Sequence, residues 1–347
     1  MKILISIHSL REMKTVFQTP FFQYLKEDKS NDYVILTSLE ILIDYFSRSF
    51  FSNISVIEID KINRFKNKVI SMFFLWFEYL ALIPQKTNDQ KIFFDRLKNW
   101  EKKKYRKAKY INLILRVFPL SFYKMFFQLF LVNKKIKEIN PDRVFLTSYF
   151  IPNEFVIMNN FSDKQLFFFP DSWDVFTKHR IFLKIPKKIM LWNHNMYKNA
   201  IGIEKISKTN LIITGNPFWD TLKKHSNNHQ FKCNKADKSI KNVLIFSSNM
   251  RIYNELDILK ELYDWAKLNS NICLNIRTSV LENPKSETNK KYMKKELDIN
   301  KIFENKNVFV PKINDQNLTL KDGMYFDKQY LDLLIDNDIF VTFGAST

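Results

Sequence analysis

Short apolar runs that stop abruptly at polar residues recur along this chain and restrict its fold more than any other feature. The clearest are 2–7 (KILISI), 32–37 (DYVILT), 165–169 (QLFFF) and 242–246 (NVLIF). Runs of this length suit buried strands, and the segments between successive runs are often long enough for a helix. Strands that alternate with helices are typical of a parallel sheet. We therefore predict an α/β fold built from Rossmann-like domains.

Further elements follow the same rhythm. Strands are predicted at 54–59, 143–147, 187–192, 210–214, 272–276, 307–310 and 338–342, and helices at 15–25, 153–160, 194–205, 254–269 and 327–336. Asn193 is the predicted N-cap of the third of these helices. No Gly-x-Gly-x-x-Gly motif follows the first strand, which argues against a dinucleotide-binding site there.

The loop 171–180 carries the densest set of reactive side chains. It contains Asp171, Ser172, Trp173, Asp174, Thr177, Lys178, His179 and Arg180. Pro170 ends the strand before it, because proline cannot donate to a strand ladder. Ligands of open α/β sheets bind outside the carboxyl ends of the strands, so this loop is a candidate functional site.

Together with two later segments, this loop resembles the GT-B glycosyltransferases of bacterial surface polysaccharide (capsule and O-antigen) biosynthesis. In the subgroup concerned, the first domain closes with a Ser-Trp-Asp loop followed by Thr and Lys, a Trp-Asn-x-x-Met segment, and a Thr-Gly-x-Pro strand end with an Asp shortly after. The matching residues are Ser172, Trp173, Asp174, Thr177 and Lys178; Trp192, Asn193 and Met196; and Thr214, Gly215, Pro217 and Asp220. Val175 departs from the pattern, because an Asn is usual there. The resemblance implies two Rossmann-like domains with parallel sheets that face each other across a cleft.

The length of 347 residues also favours two domains, since one core seldom holds so many. We predict an acceptor-side domain at 1–222 with a helical insertion at about 61–140, a polar linker at 223–241, and a donor domain at 242–347. The family continues beyond the last strand through a phosphate-binding helix. The second domain is therefore predicted to be incomplete at its C-terminal end.

The resemblance implies that the second domain holds the diphosphate and sugar of a nucleotide-sugar donor. Its candidate residues are Ser247, Ser248, Arg251, Arg277, Gly344, Ser346 and Thr347. Arginine suits this role because its guanidinium forms paired hydrogen bonds with phosphate, although a lone loop arginine is more often only solvated. Only four glycines occur in the chain, and two of them, Gly215 and Gly344, follow strands. Either a backbone conformation or a close ligand requires them, or they lie in ordinary turns.

An inverting transfer needs a base that accepts a proton from the acceptor hydroxyl. Asp171 and Asp174 are the first candidates and His8, which follows the first strand, is the next. Asp174 is equally suited to a helix N-cap or an ion pair, and a retaining enzyme needs no such base. The resemblance implies a metal-independent enzyme, and the sequence shows no convincing Asp-x-Asp metal motif, so we expect no metal and no cofactor besides the donor. The acceptor side is predicted to use Ser172, Trp173, Thr177, Lys178 and Asn193.

The formal net charge of +19 favours anionic partners, although a codon bias toward lysine would produce the same charge. The apolar segments 69–84 and 117–132 are too short to span a membrane. With the basic run 102–110 they either lie against an anionic membrane surface or form core helices with a solvated face. Nucleic acid is the least favoured partner. Two distant cysteines, Cys233 and Cys273, and the lack of a signal peptide indicate the cytoplasm.

The sequence thus predicts a cytoplasmic, peripherally membrane-associated glycosyltransferase that extends a surface glycan, including a lipid-linked one. Two alternatives within the same fold are a glycerophosphotransferase and a nucleotide-sugar 2-epimerase. A third alternative is a basic protein without catalytic activity that binds membranes or nucleic acid.

Overall fold

The structure is a computed structural model. It describes residues 1–17, 19–49, 51–59, 125, 133–148, 152–170, 172, 175–177, 182, 184–228, 240–246, 255–277, 308–309 and 334–342. The chain divides into two compact units with a boundary after Thr221. The predicted insertion at 61–140 lies outside the described residues up to position 132, except for Met125, which is helical.

The first unit contains a parallel sheet of seven strands in the order β3-β2-β1-β4-β5-β6-β7. The strands are β1 (Lys2–Ile7), β2 (Asp32–Thr37), β3 (Ile54–Glu58), β4 (Arg143–Leu146), β5 (Leu166–Phe168), β6 (Lys188–Leu191) and β7 (Leu211–Ile213). All neighbouring strands pair in parallel. The order reverses between β1 and β4, as in the doubly wound Rossmann architecture.

The second unit contains a parallel sheet in the order β10-β9-β8-β11 among the described residues. Its strands are β8 (Lys241–Phe246), β9 (Ile272–Arg277), β10 (Val308–Phe309) and β11 (Ile339–Thr342). Buried Val243, Ile245, Leu274 and Ile276 form its core together with side chains of the helix that joins β8 to β9. Each strand predicted from the sequence therefore has a counterpart, and the predicted α/β class is confirmed.

Within the described residues, helices follow several strands of the first unit and β8 of the second. They are α1 (Leu10–Phe17), α2 (Pro20–Glu27), α3 (Glu40–Arg48), α4 (Lys134–Glu138), α5 (Pro152–Asn160), α6 (His194–Gly202), α7 (Phe218–Asn228) and α8 (Glu255–Leu268), numbered over the described residues. No helix within these ranges is long and apolar enough to cross a membrane. The two apolar segments considered above, 69–84 and 117–132, lie almost wholly outside them.

The central strands of the first sheet are buried in a hydrophobic core to which residues of α4, α5 and α6 contribute. Leu4, Val144, Leu146, Leu166 and Phe168 have no exposed side-chain surface and belong to one hydrophobic core. This explains why their sequences are almost continuously apolar instead of alternating. Such a rigid centre holds the loops at the carboxyl edge of the sheet in place.

The helix predicted at 15–25 is in fact two helices. Thr19 has extended backbone angles, and its hydroxyl accepts a hydrogen bond from Phe21 N, so it is the N-cap of α2. Pro20 is the first residue of α2, because a proline lacks the N–H that a continuous helix would need there and fits a first turn. A different departure occurs at α7, which runs to Asn228 and so extends into the range predicted as a polar linker.

Candidate active site at the carboxyl edge of the first sheet

The carboxyl ends of β1 and β4 lie side by side where the strand order reverses. Ser6 of β1 pairs with Leu146 of β4, and the Thr147 hydroxyl donates a hydrogen bond to the Ser6 carbonyl at 2.8 Å. His8 follows β1 and Ser148 follows β4. In this architecture the reversal point is the usual ligand site. The loops after β1 and β4 are therefore the natural centre of a site.

A reciprocal capping arrangement holds the β1–α1 turn. The Ser9 hydroxyl accepts a hydrogen bond from Glu12 N at 3.2 Å, and the Glu12 carboxylate accepts one from Ser9 N at 3.3 Å. The same carboxylate oxygen also accepts the His8 N–H at 2.5 Å. Glu12 is only 1% exposed, so its contacts with these N–H groups are shielded from water. The turn that carries His8 is therefore rigid.

The imidazole of His8 lies half-buried between the ends of β1 and β2. Its Nδ1 is 3.3 Å from the Ser38 hydroxyl, which follows β2. Its Nε2 is buried and has no hydrogen-bond partner among the described residues. Burial lowers the pKa of His8 from 6.5 to about 3. The side chain is therefore neutral near pH 7 and carries one nitrogen lone pair.

A second buried carboxyl group lies across the reversal point. Glu154, in the first turn of α5 after β4, has no exposed surface, as Glu12 has almost none in the first turn of α1 after β1. The positive end of a helix dipole favours an acidic side chain in this position. Helices after both central strands therefore begin with a buried glutamate at the same edge of the sheet.

Four residues described here, Ser9, Glu12, Ser38 and Glu154, were not predicted as site residues from the sequence. The Ser9-x-x-Glu12 spacing is a capping-box pattern and could have identified both residues. Ser38 carries a weaker signal, which is its place directly after a predicted strand. Only the pairing of β1 with β2 brings it to His8.

The loop after β5 is only partly described. Phe169 N donates to the Leu146 carbonyl at 2.9 Å, which extends the pairing of β5 with β4, and Pro170 is buried. Val175 and Phe176 are 5% and 1% exposed and belong to the hydrophobic core. Val175, which replaces the usual Asn of the resembled family, is thus a core residue. Ser172 and Thr177 of the same loop are partly buried.

Several predicted residues of this loop lie outside the described part of the chain. They are Asp171, Trp173, Asp174, Lys178, His179 and Arg180. Their roles as base or acceptor contacts stay predictions.

Asn193 is the N-cap of α6, as predicted. Its side-chain oxygen accepts a hydrogen bond from Met196 N at 2.9 Å. Asn193, Asn195, Lys198 and Asn199 line a shallow depression together with Met196. Because the capping bond uses only the oxygen, the exposed amide NH₂ group of Asn193 remains available for the predicted contact with an acceptor.

Gly215 follows β7 in a left-handed conformation, with φ of 84°. Its N–H and that of Thr214 both donate to the Leu191 carbonyl, at 3.2 Å and 2.8 Å. A Cβ added at Gly215 would meet no atom within 4 Å. Backbone conformation therefore explains this glycine without a close neighbour.

Less of the predicted donor side is described. Arg277 is the last residue of β9 and pairs with Phe246 at the end of β8, so it lies at the carboxyl edge of the second sheet. Ser247, Ser248, Arg251, Gly344, Ser346 and Thr347 lie outside the described residues. The donor contacts remain predictions.

Comparison with known proteins identifies the fold. No protein-family model and no curated protein matches the chain. Among solved structures, MnaA of S. aureus in complex with UDP matches with a TM-score of 0.52 and 11% identity, over 98% of this chain and 73% of that one. UDP-GlcNAc 2-epimerase from Neisseria meningitidis, bound to UDP-GlcNAc, matches with a TM-score of 0.52 and 13% identity, over 99% and 77%.

A third structure, the putative UDP-N-acetylglucosamine 2-epimerase from Listeria monocytogenes, matches with a TM-score of 0.50 and 9% identity, over 99% of this chain and 74% of that one. Identities this low carry information about the fold alone. The chain therefore has a GT-B-like α/β fold, as the sequence predicted.

Proposed function

We propose that this protein is a glycosyltransferase that moves a sugar from a nucleotide-sugar donor to a surface-glycan acceptor, with no metal ion. The observation that carries the proposal is the position of His8, whose neutral imidazole directly follows β1, one of the two strands between which the order of the first sheet reverses. A neutral imidazole in that position is suited to accept the hydrogen of a sugar hydroxyl.

His8 is a weak base when its pKa is about 3. Weak basicity is sufficient if the acceptor proton is transferred to His8 late in the reaction, after the new bond to the anomeric carbon has begun to form. As the acceptor oxygen bonds to the anomeric carbon, its hydroxyl becomes strongly acidic, and the proton passes to Nε2 while the nucleoside diphosphate departs. Asp171 and Asp174 remain alternative bases, since the resemblance that singles out their loop is independent of His8.

The donor would be held by the strand ends of the second unit. Arg277 at the end of β9 is suited to the diphosphate, together with Arg251 and the hydroxyls of Ser247 and Ser248. Cations and backbone N–H groups would then supply the electrostatic stabilisation that a metal ion supplies elsewhere. The net charge of +19 supports a site on the cytoplasmic face of the membrane, where lipid-linked acceptors are anionic.

A second candidate function is 2-epimerisation of a nucleotide sugar. The specific observation in its favour is that the solved structures of similar fold include two described as UDP-GlcNAc 2-epimerases, one of them with UDP-GlcNAc bound. Such a reaction needs no acceptor, and it breaks and remakes the bond between C2 and its hydrogen.

One experiment separates the two reactions. The protein is incubated in D₂O with a panel of nucleotide sugars, with and without an oligosaccharide acceptor, and followed by ¹H NMR. A transferase releases nucleoside diphosphate only with acceptor and retains the C2 hydrogen. An epimerase incorporates deuterium at C2 without acceptor.

A His8→Gln variant tests the base. We expect transfer to fall at least about 100-fold, the lower range for general base catalysis. The increase in Tm caused by bound nucleotide should persist. His194→Gln, an exposed histidine of α6, is the matched control and should retain full activity.

The proposal fails if no nucleotide sugar raises the Tm. Binding only to anionic vesicles or polynucleotides, abolished by salt, would instead identify a protein without catalytic activity.

A further inference from the structure

Two polar side chains from neighbouring strands meet at the edge of the candidate site. β1 and β2 pair in register up to Ile7 and Thr37, so the next residues, His8 and Ser38, lie side by side. Their side chains approach to 3.3 Å between Nδ1 and Oγ. The Thr37 hydroxyl accepts a hydrogen bond from Leu39 N at 3.0 Å, which fixes the turn that carries Ser38.

We propose that Ser38 is a positioning residue that holds His8 with the proton on Nδ1 and the lone pair on Nε2. This inference rests on the proposed function only for its catalytic consequence. The placement of the proton itself is a property of the resting protein.

The surroundings of the two nitrogens favour this tautomer. Ser38 is exposed, so its hydroxyl can donate to water while its oxygen accepts from Nδ1–H. Nε2 is buried without a partner among the described residues. In the other tautomer an N–H would be buried there, and a buried donor is less tolerated than a buried acceptor. The Glu12 carboxylate binds the backbone N–H of His8, whereas Ser38 contacts its imidazole.

The tautomer determines what the site can bind and do. Nε2 is buried in this structure, so a hydroxyl ligand reaches it only after the groups that cover it move; its lone pair then accepts the hydrogen of the hydroxyl, whereas an Nε2–H could not. In the transfer step the acceptor O–H bond breaks and its proton goes to Nε2. The acceptor oxygen forms a bond to the anomeric carbon, and the bond from that carbon to the diphosphate oxygen breaks with its electron pair leaving on the diphosphate. The Ser38 oxygen then stabilises the resulting imidazolium through Nδ1–H.

Nitrogen NMR tests the proton placement without any assay of activity. The full chain is labelled with ¹⁵N at histidine, and the His8 signals are assigned by their loss in His8→Gln. At pH 7 we expect Nδ1 protonated and Nε2 unprotonated. In Ser38→Ala we expect the two tautomers to mix, and in Ser38→Thr, which keeps a hydroxyl, we expect the native pattern.

Kinetics test the catalytic consequence. Ser38→Ala should lower kcat about tenfold, part of the roughly 100- to 10,000-fold available from general base catalysis, with KM little changed. Ser38→Thr should recover most of this loss. The matched control is Ser52→Ala, an exposed serine before β3 at the opposite edge of the sheet, which should change neither constant.

The outcomes separate the two proposals. A proton on Nε2 in the wild-type protein, or a tautomer unchanged in Ser38→Ala, overturns the role of Ser38 even if the enzyme transfers sugars. The expected tautomer without any transfer activity leaves the placement intact and overturns the proposed function. An equal loss of kcat in Ser38→Thr and Ser38→Ala contradicts a role for the hydroxyl.

Discussion

The Thr147 hydroxyl donates a 2.8 Å hydrogen bond to the carbonyl of Ser6, and so joins the two strands between which the order of the first sheet reverses. The residues are 141 positions apart, and both are buried. This contact helps to fix the register of β1 against β4, and with it the relative positions of His8 and Ser148, which follow these strands.

Replacement of Thr147 by Val should remove this bond while it preserves shape. We expect a loss of about 1 kcal/mol in the free energy of unfolding, the usual net value of one buried hydrogen bond. Thr147→Ser keeps the hydroxyl and serves as the control. Urea denaturation followed by circular dichroism measures both. An unchanged midpoint in Thr147→Val would mean that the bond contributes nothing.

Glu12→Ala should destabilise the β1–α1 turn. The carboxylate accepts the N–H groups of both His8 and Ser9, so its removal leaves two donors without their partner. We expect a loss of about 1–2 kcal/mol, as for other helix caps. Glu12→Gln retains one acceptor oxygen and should lose less. Thermal unfolding of the three proteins gives the order, and equal losses for Ala and Gln would contradict it.

The pH dependence of stability should report on the buried imidazole. Because burial lowers the pKa of His8 to about 3, the unfolded chain binds a proton more readily than the folded one. The contribution of His8 is therefore complete above about pH 6.5 and is lost progressively as the pH falls toward 3.

Denaturation of the wild type and His8→Gln at several pH values measures this effect. The difference between them should change throughout the interval from about pH 6.5 to 3, and it is measured most cleanly between pH 6.5 and 5, where few carboxylates titrate. A difference that does not vary with pH would show that His8 is not desolvated in solution.

Gly215→Ala should be destabilising for backbone reasons alone. At φ of 84° an L side chain is strained, although its Cβ would meet no atom within 4 Å. We expect a cost of about 1–2 kcal/mol.

Gly202 provides the matched control. It is the last residue of α6, and a Cβ there also meets nothing within 4 Å, without a positive φ. Gly202→Ala should be neutral or stabilising by up to about 1 kcal/mol. If both variants behave alike in urea denaturation, strain at Gly215 is excluded as the cause.

Two helix starts were not predicted from the sequence, each for its own physical reason. α3 begins after Leu39, which has no side chain able to cap it, so the usual start signal is missing. The division at Thr19 depends on a polar cap within an apolar segment, and the periodicity of that segment concealed it. The role of Val175 is a different case. The sequence shows that a valine stands where an Asn is usual, but only the packing shows that this valine is a core residue.

The candidate site was predictable in part. His8 was identified because it directly follows a strand. Asn193 was identified from the family resemblance and as an N-cap, a role that depends on its near neighbours in the chain. The contact of His8 with Ser38 spans 30 positions and follows from strand pairing, which no local pattern encodes.

Local sequence was sufficient to specify the strands, the α/β class and the polar loops after the strands, because apolar runs and their breaks are properties of consecutive residues. Three-dimensional packing was needed to decide which loops share one edge and which side chains are desolvated there. Strand order and register come from contacts between distant segments, and burial from helices that cover the sheet. The contact of His8 with Ser38 depends on strand pairing, and the neutral state of His8 depends on burial.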